Sequence, residues 1–169
     1  MQELFYPDPL VRLPFYAALG LMTEVLFTGT FDLLSPLYLQ SWNAKNPDGH
    51  RPALVRRDPK AMGYTFLWMI PLYMLLITME PLSRWLHPYP FWARGLIYLT
   101  LFWVGEYASG AFIKKISGYV PWDYSYSRFS VHGYIRWDFA PFWFAFTLIV
   151  EYFIPKFVFL TPAIRAAFS

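Results

Sequence analysis

Five carboxylates lie within, or at the ends of, long apolar runs: Glu24, Glu80, Glu106, Asp138 and Glu151. An Asp or Glu at the centre of a membrane-spanning helix costs about 2.5–3.5 kcal/mol on insertion scales. Such groups are therefore expected to face a protein interior, where a hydroxyl, an indole or a bound cation offsets the charge. Thr28 falls one helical turn after Glu24, and Ser109 follows Glu106 between Gly105 and Gly110, small residues that let helices approach closely. The spacing predicts an interior binding site formed by Glu24, Thr28, Glu106, Ser109, Asp138 and Glu151. Glu80 is set apart, because it sits near Arg84 at a helix end and is expected to pair there at the interface. Carboxylates in apolar surroundings suit two kinds of work: holding a cation or polar solute, or general acid–base chemistry. The plainer alternative is that they hydrogen-bond between helices and hold the bundle together.

Other chemistries lack their residues. The only histidines are His50, His87 and His132, and no Glu-x-x-His pair occurs, so no metal site is predicted. There is no cysteine, no Gly-x-Ser-x-Gly elbow and no phosphate-binding Gly-x-x-x-x-Gly-Lys, and no cofactor is implied. The 14 basic residues are spread over loops instead of forming one stripe, which argues against nucleic acid as a partner.

The elements that must position these carboxylates follow from composition. Of 169 residues, 57% are hydrophobic and only 15% charged, where soluble domains average about 25% charged. Aromatics reach 22%, which suits a protein anchored at two membrane–water interfaces. A spanning helix needs about 20 mainly apolar residues, and this predicts spans at about 13–34, 62–79, 91–113 and 137–160. The runs are too long and unbroken for barrel strands. The predicted fold is all-α, a polytopic four-helix membrane bundle forming one integral-membrane domain over 1–169. Glu3, Asp8 and two prolines precede the first span, unlike a cleaved signal's basic start, so that span is expected to stay.

Loops one and three carry nine Lys or Arg residues against five on the other side, which predicts both loops in the cytoplasm and the termini outside. Segment 41–60, rich in Pro, Asn, Asp and Gly, is expected to be the most mobile part.

A repeat is also predicted. Glu24 followed by Thr28-Gly29 resembles Glu106 followed by Ser109-Gly110, and Gly63-Tyr64 with Pro71 matches Gly133-Tyr134 with Pro141 at the same spacing. Glu80 and Glu151 extend the match with a one-residue slip. Two tandem two-helix units, related by an axis along the membrane normal, would account for this.

The third loop reads Trp122-Asp123-Tyr124-Ser125 and then His132-Gly133-Tyr134-Ile135. Its rings fit headgroup level, and Asp123 or Ser125 can close a turn. It is either an anchor or the rim of a site, with Asp123 held by backbone amides or a nearby donor.

These motifs, together with Glu24 to Thr28 and Glu106 to Gly110, resemble the transmembrane protein 229 family. That family is related to bacterial membrane proteins catalogued as type-IV ABC transporters. The resemblance runs from about Phe15 to Phe153, and the Trp-Asp-Tyr-Ser loop is its most specific part. It implies a four-span membrane protein, a small permease or a transport-complex subunit. Alternatives are an integral-membrane enzyme acting on a lipid or isoprenoid, and an accessory or assembly subunit. The expected partners are membrane lipids and either further copies of the chain or a larger membrane complex.

Overall fold

A computed structural model describes residues 5–34, 63, 65–120, 122–125 and 127–167. Segment 41–60 and its basic residues lie outside the described residues. The chain is mostly helical. Helix α1 runs Pro9–Leu34, starting on a proline whose missing N–H is an unneeded donor in the first turn. Helix α2, Met69–Met74, continues through a 3-10 stretch, Leu75–Thr78, into α3, Met79–Leu86. Helix α4 spans Phe91–Ser117, begins after the extended Pro90 and stops at Gly118, whose φ of 80° only glycine adopts readily. Lys114 and Lys115 complement the dipole in its last turn. Helix α5 covers Ala140–Ala167 and is entered through a 3-10 turn, Trp137–Phe139.

Three helices, Pro9–Thr30 within α1, α4, and Trp137–Ala167, are long and apolar enough to cross a membrane. The expected second span is corrected. Its helical part begins at Met69 instead of Met62, is built of three short pieces and extends past Glu80 to Leu86. Glu80-Pro81 does not stop it, because Pro81 stands in the first turn of α3, where a proline is tolerated.

Helix α1 packs against α2, α4 against α5, and α1 against α5. In lipid these contacts rest on close packing and hydrogen bonds instead of exclusion from water. The packing is aromatic. Phe27 meets Phe139 at 4.8 Å and Phe142 at 4.2 Å, and Phe102 meets Trp143 at 4.4 Å between ring centroids. The Tyr73 ring lies directly on Gly20, and the Phe144 ring on Gly95, where an added Cβ would collide.

The third loop forms a small antiparallel ribbon, β1 (Ser130–Val131) and β2 (Ile135–Arg136), with Val131 opposite Ile135. Its turn contains His132 at φ 54° and Gly133 at φ 81°.

Candidate functional site

Glu24, on α1, is buried. Its Oε2 accepts a hydrogen bond from Thr65 Oγ1 at 2.6 Å, and the Tyr73 hydroxyl lies close enough to act on it electrostatically. Thr65 is brought there because Gly63 approaches the Val25 carbonyl of α1 so closely that no side chain would fit between. Glu106, on α4, takes a longer bond of 3.4 Å from the Tyr124 hydroxyl to Oε1. Its Oε2 is buried and has no hydrogen-bond partner among the described residues. The two carboxylates lie within electrostatic reach of each other, and the Tyr73 hydroxyl senses both. α1 and α4 thus each bury a carboxylate, and the third loop reaches Glu106 through Tyr124.

The loop is folded so that Tyr124 can do this. Tyr124 N–H donates to Gly133 O at 2.9 Å, and Trp122 Nε1 donates to Tyr134 O at 3.0 Å. Asp123 Oδ1 accepts the Ser125 N–H at 2.8 Å, closing a turn through its side chain. Gly133 supplies the left-handed turn, while Asp123 and Ser125 themselves are exposed. The Tyr124 ring meets Phe139 edge-on at 5.7 Å, tying the loop to the start of α5.

Other expected members of the site are elsewhere. Glu151 faces α4 nearer its N-terminus, where it accepts from Arg94 Nε at 3.1 Å and from the Tyr98 hydroxyl at 2.8 Å. Asp138 is exposed and paired with Arg136, whose Nε is 2.9 Å away. The Thr28 and Ser109 hydroxyls bond back to carbonyls of their own helices, at 2.9 Å to Glu24 O and 2.7 Å to Gly105 O. Hydroxyls in apolar helices commonly do this, since the i−4 carbonyl is the nearest acceptor.

Glu80 departs most from expectation. It is fully buried and pairs with Arg12, not Arg84, at 2.6 Å and 2.8 Å. The Tyr16 hydroxyl adds a bond of 2.9 Å. The same guanidinium donates to Thr161 Oγ1 at 3.2 Å and to the Pro7 carbonyl at 2.7 Å, linking α1, α3 and α5. Arg84 instead stacks over the Tyr6 ring.

Thr65, Tyr73, Arg12, Tyr16, Arg94 and Tyr98 are functional or structural partners that the spacing of acids alone misses. For the last four a signal existed. Arg-x3-Tyr-x7-Glu occurs twice, as Arg12, Tyr16, Glu24 and as Arg94, Tyr98, Glu106.

Among the described residues no group of His, Cys, Asp and Glu is arranged to hold a metal ion. The arrangement can accept hydrogen bonds and positive charge within an aromatic interior. A model of the family described as "Putative ABC-transporter type IV" matches residues 57–166, more than half of the chain. No curated protein and no solved structure matches it.

Proposed function

The chain belongs to that family, and from this premise we propose that it is a membrane subunit of a transport system whose solute site lies between Glu24 and Glu106. One observation carries the reading. Two buried carboxylates on different helices lie within electrostatic reach of each other, while the ion pairs of the described residues all lie elsewhere, at Arg12–Glu80, Arg94–Glu151, Arg136–Asp138 and Arg165–Asp8. Among the described residues Glu80, Glu151, Asp138 and Asp8 are each paired with an arginine, and Glu24 and Glu106 are not. A carboxylate in an apolar interior without a basic neighbour holds its charge only when a cation or polar solute offsets it, and such residues are functional candidates by default.

The sequence holds no phosphate-binding Gly-x-x-x-x-Gly-Lys, so an energy-supplying ATPase would be a separate chain of the complex. On the charge asymmetry of the loops, loops one and three face the cytoplasm, and the Trp122-to-Ser125 turn closes that end of the site. The likeness of this turn to the transmembrane protein 229 family agrees with a role common to the wider group.

The test is thermal unfolding of the purified protein in detergent, titrated with alkali and ammonium cations. A cation-dependent rise in Tm is expected in the wild type and in Asp138→Asn, and its loss is expected in Glu24→Gln and Glu106→Gln. An equal rise in all four rejects the site.

A further inference from the structure

The interior site is lopsided. Glu24 is bonded by Thr65 at 2.6 Å with the Tyr73 hydroxyl nearby, whereas Glu106 has one bond of 3.4 Å and a buried Oε2 with no partner among the described residues. Two indole nitrogens, Trp103 Nε1 and Trp143 Nε1, are also buried and unpartnered. Trp103 stands on the same helix as Glu106, one turn away, and Trp143 is in ring contact with Phe102, on the turn before. A buried acceptor and two buried donors are thus left over, two of them one turn apart on α4 and the third on a ring packed against that helix, against the strong tendency of buried polar atoms to find partners.

The repeat explains why. Each Arg-x3-Tyr-x7-Glu helix clamps a glutamate of the next helical segment with its arginine and tyrosine: Arg12 and Tyr16 hold Glu80, and Arg94 and Tyr98 hold Glu151. Aligning Arg12 with Arg94 and Gly63 with Gly133 sets Trp143 at the place of Tyr73, ten residues past the glycine, and Ile135 at the place of Thr65, two past it. The same alignment sets Phe102 at the place of Gly20. Tyr73 lies on Gly20, and Trp143 lies against Phe102. Both hydroxyls beside Glu24 have therefore changed at Glu106, one to an isoleucine that cannot donate and one to an indole that is left unpaired.

We infer that the chain is a duplicated two-helix unit in which Glu106, with Trp143, is the half that contacts the solute, and that the solute is a small organic ammonium bearing a hydroxyl acceptor, of the amino-alcohol class. This rests on the reading of the interior site given above. The ammonium donates to Glu106 Oε2 and offsets the charge of the two carboxylates, while the hydroxyl oxygen accepts from the indole N–H. A bare metal ion offers nothing to an N–H donor, and an anion is repelled by both acids. A neutral polyol leaves the carboxylate charge uncompensated. The amino alcohol could arrive free or as a phospholipid headgroup, where an ester oxygen replaces the hydroxyl as acceptor and the phosphate must stay outside the reach of the two acids.

The test compares ethanolamine, tetramethylammonium and sodium by calorimetric titration of the full chain in detergent. Ethanolamine is expected to bind about tenfold or more tightly than tetramethylammonium, which can neither donate nor accept a hydrogen bond. Trp143→Phe should remove about that factor for ethanolamine and leave tetramethylammonium unchanged, and Glu106→Gln should abolish ethanolamine binding. Equal affinity for ethanolamine and tetramethylammonium, both lost in Glu106→Gln, overturns the inference and leaves the interior site standing. Absence of binding by every cation overturns both. Should Trp143→Phe fail to fold, the wild-type ranking decides. In nanodiscs, weaker apparent ethanolamine binding with phosphatidylethanolamine than with phosphatidylcholine, a lipid of the same net charge whose headgroup ammonium has no N–H, identifies the headgroup as occupant, and equal binding identifies the free solute.

Discussion

Arg12 and Glu80 form a two-pronged ion pair, Nε to Oε1 at 2.6 Å and Nη2 to Oε2 at 2.8 Å, with neither side chain exposed. Parallel N–H···O bonds of this kind fix both charges in one orientation. Removing one partner strands a buried charge, so Glu80→Gln should destabilise by about 3–5 kcal/mol. The double variant Arg12→Met, Glu80→Met should recover most of that loss, because replacing a whole buried pair with apolar side chains is often neutral. Denaturant unfolding of the three proteins in mixed micelles measures both effects. A double variant as unstable as the single would show that the hydrogen bonds from Arg12 to Thr161 and to the N-terminal backbone dominate.

The counterpart pair, Arg94 with Glu151, is less enclosed, at 22% and 16% side-chain exposure. Solvent screens it more. Glu151→Gln is therefore expected to destabilise less than Glu80→Gln, by about 1–2 kcal/mol, a value discounted for exposure. The ordering of the two variants in one unfolding assay is the test, and a reversed order would reject it.

Gly20→Ala should act at a distance from its own backbone. The new Cβ would meet the Tyr73 ring, and the ring would have to move, taking its hydroxyl away from Glu24. Overpacking of this sort costs about 1–3 kcal/mol. The cation response of Tm should weaken with it, whereas Gly105→Ala, with nothing near its added Cβ, should leave both unchanged.

Gly133→Ala places a side chain at φ 81° and within 3.0 Å of Asp123 Oδ1. A left-handed non-glycine residue costs about 1–2 kcal/mol, and the contact would also disturb the turn that presents Tyr124. Among the described residues, Asp123→Ala loses the bond from Ser125 N–H, worth about 0.5–1.5 kcal/mol. Thermal unfolding should therefore show Gly133→Ala as the more damaging; equal and negligible effects would make the loop an anchor without influence on the site.

The helical class and the membrane setting were legible because they depend on composition and run length, which tertiary contacts do not alter. Glu24 and Glu106 were legible as inward-facing because lipid leaves them no alternative. The partners of the other acids were hidden for a different reason. Arginines were weighed for the side of the membrane they favour, yet Arg12 and Arg94 lie along long helices and reach acids far along the chain, at Glu80 and Glu151. Asp138 was misplaced by its apolar neighbours, since an arginine two residues away, Arg136, meets it outside the interior. Thr65 carried no signal as an acid partner, because a threonine hydroxyl in a run read as helical is expected to turn to its own backbone, and Tyr73 is one of 13 tyrosines in an aromatic-rich chain. The second span was overextended at its start, where 65–68 precedes the first helical turn.

The 3-10 stretch Leu75–Thr78 makes nine residues do the geometric work of ten. From Pro141 to Glu151 an α-helix advances about 15 Å and turns through about 1,000°. From Pro71 to Glu80, with four steps in the tighter helix, the advance is about 15.5 Å and the rotation about 980°. Glu80 thus arrives within roughly 20° and half an ångström of the height and heading that Glu151 has relative to its own proline. A one-residue difference in length between the Pro71–Glu80 and Pro141–Glu151 segments is absorbed by winding, and each arginine still finds its acid. Adding one residue within Leu75–Thr78 should relax the stretch to an α-helix and leave the Arg12–Glu80 pair joined, whereas the same insertion in the regular helix between Pro141 and Glu151 should part Glu151 from Arg94.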